Sequence, residues 1–168
     1  MRHLVYFFIC LCFIGSSIQA QSTFYLVRHA EKDTVVVEGT MMQNDVALSQ
    51  KGLYRANQLA KRLASVTIDS IYSTPYVRTK STAQPTANQK KLTVQTYDPR
   101  KLKEFADWLL THKNKTCLVV GHSNTTPALV NLLLKENKFP PLDESIYNQL
   151  YIVTVKDNKA TVTIETYE

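Results

Sequence analysis

Between Lys115 and Gly121 the chain reads Thr116-Cys117-Leu118-Val119-Val120, a short β-prone run with almost no polar interruption. A strand that faces water on one side alternates apolar with polar residues. This run does not, so both of its faces need cover, which is the situation of a central strand in a parallel sheet with helices on either side. The rest of the sequence supplies the partners. Strands are expected over Thr23 to Val27, Asp69 to Ser73 and Leu92 to Thr96. Leu53, Ala56, Leu59, Ala60 and Leu63 recur at helical spacing behind Ser49, so Gln50 to Ala64 reads as an amphipathic helix with a serine N-cap. Tyr76 to Asn88, starting near Pro75, and Thr125 to Lys135, with Pro127 in its first turn, are further helices. Asp98-Pro99 reads as an acidic N-cap followed by a first-turn proline, opening a helix whose apolar face is Leu102, Phe105, Ala106, Leu109 and Leu110. Gln149 to Val155 and Ala160 to Thr166, joined by Asp157-Asn158, form a hairpin. The expected fold is α/β, a three-layer sandwich with a mostly parallel sheet, helices on both faces and an antiparallel edge from the C-terminal hairpin.

The first twenty residues stand apart. Arg2, an apolar run from Leu4 to Ile14, Gly15-Ser16-Ser17 and Ala20 have the layout of a secretory signal peptide. The run is about half of what a membrane span needs, so no stable membrane anchor is expected. Cleavage after Ala20 leaves one domain, residues 21–168, exported to the periplasm or secreted. Cys10 and Cys12 leave with the leader, and the remaining Cys117 cannot form an intramolecular disulfide or a cysteine zinc site. The formal charge of +6 drops by the one arginine in the leader. The lysines and arginines are scattered, which fits a solvated surface and not a nucleic-acid stripe, while the positive balance favours anionic ligands.

Chemistry concentrates where strands end. Arg28-His29 and Gly121-His122 each follow an expected strand, and Arg78 falls in the first turn of a helix that follows a third. Ligands of open α/β sheets bind beyond the carboxyl ends of the strands. Two imidazoles and two guanidiniums on one rim suit a phosphoryl group, because the guanidinium fork grips paired oxygens. By contrast, His112 in Thr111-His112-Lys113 has no such company, and Cys117 is expected to be buried and inert.

The ordered segments Leu26-Val27-Arg28-His29-Ala30-Glu31-Lys32, Leu48-Ser49-Gln50-Lys51-Gly52, Ser73 to Thr79 with Thr82-Ala83, and Val120-Gly121-His122-Ser123-Asn124 resemble the motifs of the histidine phosphatase superfamily, the phosphoglycerate-mutase-like fold. The chain is most similar to its small phosphatase branch, with bacterial phosphohistidine phosphatases and exported phosphatases, and lacks the long insertion that carries the mutases' usual acid. The resemblance implies that His29 is the nucleophile, that Arg28, Arg78 and His122 surround the transferred oxygens, and that Ser123 contributes to phosphate binding. No metal or other cofactor is implied, since the arginines take the electrostatic role of a magnesium ion. For the general acid the expected residue is Asp98, where the family often places its acid, with Glu31 as the alternative; Asp98 also fits a plain N-cap.

The function expected is an exported, metal-independent phosphomonoesterase acting through a phosphohistidine on His29. A non-catalytic binder of anionic phosphorylated ligands on the same fold is the alternative, and a metal hydrolase built on His29, Glu31 and His122 is a weaker one. Expected partners are phosphorylated small molecules or envelope saccharides. The stretch Asp33 to Asp45 is expected to be a loop on the pocket rim. The physiological substrate and the oligomeric state are not legible from the sequence.

Overall fold

In a computed structural model, residues 21–33 and 45–168 are described. The expected leader, and all but the ends of the loop from Asp33 to Asp45, lie outside the described residues. The strands are β1 (Gln21–Arg28), β2 (Ser70–Ser73), β3 (Val94–Thr96), β4 (Thr116–Gly121), β5 (Gln149–Lys156) and β6 (Lys159–Thr166). The helices are α1 (Gln50–Arg62), α2 (Val77–Lys90), α3 (Leu102–Thr111) and α4 (Thr125–Leu134). One six-stranded sheet in the order β3-β2-β4-β1-β5-β6 holds them together, parallel from β3 to β1 and antiparallel across β5 and β6.

Strand β4 runs through the middle, and its side chains go alternately to the two cores. Cys117 and Val119 join Phe24, Leu26, Ala106, Leu109, Leu129 and Leu133 on the α3 and α4 side. Leu118 and Val120 join Val27, Leu59, Leu63, Ile71, Ala83 and Ala87 on the α1 and α2 side. Burial on both faces is the physical reason that the run contains no polar alternation. Truncating a leucine in such a place, Leu118 for example, costs about 2–5 kcal/mol in lost transfer energy and cavity formation.

Helix α1 starts as expected, with the Ser49 hydroxyl accepting from the Gly52 amide at 3.1 Å. Leu53 departs from the expected apolar stripe and is exposed. The first turn instead buries Gly52, where a Cβ would stand 2.1 Å from the Glu31 carbonyl oxygen. The close approach of α1 to the segment after β1 thus turns the helix on Gly52 and Ala56 and rolls Leu53 outward. The hairpin turn is equally local in origin. Asp157 (φ 51°) and Asn158 (φ 61°) both take left-handed backbone, the pair of conformations that a two-residue turn between twisted strands demands.

Asp98 does not cap α3. The helix begins three residues further on with Lys101 as its N-cap, because Asp98 and Lys101 close a separate turn through Lys101 N–H donating to the Asp98 carbonyl at 3.0 Å. The Asp98 carboxylate accepts from the Arg100 amide within that turn. No described helix is long and apolar enough to cross a membrane.

Cys117 is 2 % exposed, and burial first, with Asp69 adding to it, pushes its thiol up to about 11. A thiol reagent at pH 8 should therefore modify Cys117 in the native protein far more slowly than in denaturant, followed by mass spectrometry of the peptide that contains it. Equal rates in the two states would contradict the burial.

Candidate active site

The pairing of β1 with β4 sets Val27 opposite Val120 and Arg28 opposite Gly121. Parallel strands in register end together, and the His29 amide continues the ladder by donating to the Gly121 carbonyl at 2.9 Å. His29 and His122 therefore leave neighbouring strands at the same level, with ring centroids 5.4 Å apart. From the end of β2, Thr74 and the first turn of α2 complete the rim. The Ala30 amide donates to the Thr82 hydroxyl at 2.9 Å, and that hydroxyl donates to the Arg78 carbonyl at 2.7 Å, so α2 is tied to the His29 segment one turn from Arg78.

Hydrogen bonds fix which ring nitrogens are free. The Nδ1 of His29 lies 2.8 Å from the Ala30 carbonyl, which can only accept, so Nδ1 carries the proton and Nε2 the lone pair. At His122 the Arg78 guanidinium can only donate to Nδ1, at 3.5 Å, which leaves the proton on Nε2 to be donated to the Thr74 hydroxyl at 2.9 Å. Burial, foremost, holds His29 down to about 4, with Arg78, His122 and Arg28 working in the same direction against the Ala30 hydrogen bond. For His122 the causes are burial, then Arg78 and Arg28, again to about 4. Both imidazoles are neutral at pH 7.

Arg28 is 2 % exposed and is held by the loop between α4 and β5. Its Nη1 donates to the carbonyls of Asp143, Glu144 and Ile146, each at 3.1 Å. Its Nη2 donates to the Glu144 carboxylate, and to the Tyr147 hydroxyl at 3.3 Å, and the Tyr147 ring lies 4.0 Å from the guanidinium carbon. The buried Nε has no hydrogen-bond partner among the described residues. Arg78 stacks over Tyr76 at 4.5 Å and has the Asp45 carboxylate at 3.9 Å. Around these groups a pocket of about 450 Å³ is lined by Arg28, His29, Arg78 and His122, with Tyr76 and Pro99 as its wall and Ser123, Asn124, Lys32, Arg100 and Glu144 at other points of the lining.

The structure thus brings together Arg28, His29, Arg78, His122 and Ser123, as the sequence leads one to expect. The two expected carboxyl groups stand elsewhere. Asp98 is outside the lining of this pocket, and its carboxylate is gripped by Arg100 Nε and Nη2 at 3.0 and 2.9 Å; that grip holds it down to about 2. Glu31 turns to Arg55, whose Nε and Nη2 approach its oxygens at 2.8–3.0 Å; burial pushes its carboxyl up, but Arg55, a backbone amide and Lys51 together outweigh burial and keep it below the usual carboxylate range. Both are ionised, and neither is placed as a proton donor to the pocket. The Glu31 and Arg55 pair also removes Glu31 from the metal set considered with His29 and His122. Asn124 occupies the N-cap of α4 without a side-chain cap bond; the Thr125 hydroxyl takes up the His122 amide instead, at 2.9 Å.

Glu144 and Tyr147 do not stand out in the sequence. One signal for them exists: β5 is antiparallel to β1, pairing Leu150 with Val27, so whatever precedes β5 must arrive beside Arg28.

The family model described as Histidine phosphatase superfamily (branch 1) matches residues 24–108. Among solved structures, the protein histidine phosphatase SixA in complex with tungstate is 15% identical with a TM-score of 0.69, over 86% of this chain and 96% of that one. The alpha-ribazole phosphatase from Shigella flexneri is 14% identical with a TM-score of 0.67, over 86% and 96%. The mycobacterial glucosyl-3-phosphoglycerate phosphatase is 14% identical with a TM-score of 0.63, over 88% and 98%. These likenesses concern the fold. No curated protein matches the sequence significantly.

The neutral histidines make stability depend on pH. Each takes up a proton near 6.5 in the unfolded chain but only near 4 in the folded one, so between those values the unfolded state holds more protons. Stability from this source is complete above about pH 6.5 and falls as the pH drops toward 4. Ring resonances of His29 and His122 should titrate near 4 by NMR, with the denaturation midpoint declining over the same window. Titration of either ring near 6.5 would contradict the assignment.

Proposed function

From its membership of the histidine phosphatase superfamily, to which this chain belongs, we propose that this phosphatase is an exported, metal-independent phosphomonoesterase that works through a phosphohistidine on His29. The observation that carries the reading is the state of the His29 ring: Nδ1 is occupied by the Ala30 carbonyl, and the low proton affinity of the ring leaves Nε2 an available lone pair among positive side chains. The Nε2 lone pair attacks phosphorus, the bond from phosphorus to the ester oxygen breaks, and the alkoxide takes a proton from water as it leaves. A second water then attacks the phosphohistidine, its proton passes to solvent, the P–N bond breaks, and inorganic phosphate and the starting imidazole are restored.

Arg28 and Arg78 offset charge on the equatorial oxygens in both steps, acting from fixed positions in a largely buried setting. His122, held by Thr74 and Arg78, adds a third polar contact, and Ser123 a fourth. Arg28 is preorganised by three loop carbonyls that hold Nη1, while Nη2 meets Glu144 and Tyr147. The leader-like residues 1–20 support export, and with it substrates met outside the cytoplasm: phosphorylated small molecules or envelope saccharides.

His29→Ala should abolish turnover while circular dichroism stays that of the parent, and rapid denaturation during turnover should trap acid-labile phosphate on His29. Full activity of the alanine variant would falsify the assignment. Arg28→Ala and Arg78→Ala should each lower kcat about a hundredfold, the scale for losing one preorganised electrostatic contact. Asp98→Asn and Glu31→Gln should leave the ratio of rates on an alkyl and an aryl phosphate within a few-fold of the parent. Selective loss on the alkyl ester would return the acid role to the residue changed.

A further inference from the structure

We propose that the Glu144 carboxylate is an internal occupant of the phosphoryl subsite, seated between Arg28 and Ser123 and displaced by a phosphate group when a ligand enters. The inference rests on the phosphatase reading of the pocket. Glu144 Oε1 accepts from the Ser123 hydroxyl at 2.8 Å, while Oε2 accepts from Arg28 Nη2. The carboxylate therefore sits on two of the donors that the phosphoryl group needs, in a pocket lined by both imidazoles.

It does not fill that place well. Nε and Nη2 lie on one edge of the guanidinium and form a fork for two oxygens. Glu144 uses only the Nη2 side, having given its other oxygen to Ser123, and the Nε of an arginine that is 2 % exposed is left buried without a partner among the described residues. A buried donor left unmade is unfavourable. A tetrahedral anion with three free oxygens has enough of them to serve Nε, Nη2 and Ser123 together, which the planar carboxylate has not.

The exchange leaves the backbone in place. Asn131 Oδ1 accepts from the amides of Lys138 and Phe139 at 3.1 and 2.9 Å, the Leu142 amide donates to the Ser123 carbonyl at 2.8 Å, and the three carbonyls on Arg28 Nη1 are main-chain groups. Only the Glu144 side chain, 74% exposed, has to rotate. A tethered competitor weakens every ligand of the subsite by the same factor. Inorganic phosphate, the product, is thereby weakened along with the substrate, and the carboxylate refills the subsite as phosphate leaves.

The test is titration calorimetry of inorganic phosphate into the parent protein, Glu144→Gln and Glu144→Ala, with thermal melting of each. Both variants should bind phosphate about tenfold more tightly, on the order of 1.4 kcal/mol, with KM on an aryl phosphate falling by a similar factor. Unchanged or weaker phosphate binding in variants that melt like the parent would overturn the proposal. So would a kcat loss confined to alkyl phosphates with phosphate affinity unchanged, which would make Glu144 a proton donor. Calorimetry needs no turnover, so tighter phosphate binding without hydrolysis of any ester would sustain this inference and unseat the phosphohistidine reading.

Discussion

The pocket depends on the parallel pairing of β1 with β4. Register there is fixed by burial, since a slip of β1 by one residue would turn Leu26 away from the core it shares with Val119, and Val27 away from the core it shares with Val120. The same register makes Arg28 and Gly121 neighbours, and through them His29 and His122. Packing specificity in the sheet is thus converted directly into the spacing of two imidazoles. Gly121 matters at this junction, because a Cβ there would stand 2.8 Å from the Thr126 hydroxyl and 3.0 Å from those of Thr125 and Tyr97.

Two guanidiniums near two imidazoles would repel each other if all were charged. Burial resolves the conflict by keeping the histidines neutral, while main-chain carbonyls and the faces of Tyr147 and Tyr76 receive the arginines. A carbonyl dipole or an aromatic face holds a guanidinium in place without cancelling its charge. A complete set of carboxylate partners would hold it too, but would leave nothing for an anionic ligand to gain. Among the described residues, Glu144 makes one acidic contact with Arg28 and Asp45 one with Arg78.

Local chemistry was legible in the sequence and long-range pairing was not. The apolar run of β4, the Ser49 cap and the Asp157-Asn158 turn each depend on neighbours within a few residues, and each appears where it was expected. Asp98 shows the limit of that reasoning. An Asp-Pro pair suits a helix start and a free-standing turn equally well, and the decision between them lay with Arg100, two residues on. Glu31, in the segment after β1, was decided by Arg55 on α1, and Glu144 by Arg28 more than a hundred residues away. The family resemblance pointed to Arg28, His29, Arg78 and His122, which line one pocket because its motifs sit at strand ends. It supplied nothing about the loop before β5, which touches the site through topology alone.

The sheet order has a further consequence for how the molecule comes into being. Strand β1 is the first of the described strands to be synthesised, yet its partners are β4 and β5, which end at Gly121 and Lys156. Until β4 is made both edges of β1 are open, and one stays open until β5 follows. Contacts this far apart in sequence slow folding, because loop closure precedes the contacts that reward it. The three helices between β1 and β4 can form early, but the ladder that joins Arg28 to Gly121 cannot. Arrival of β5 also delivers Glu144 and its loop to Arg28, so completion of the sheet and assembly of the pocket belong to one late event in folding.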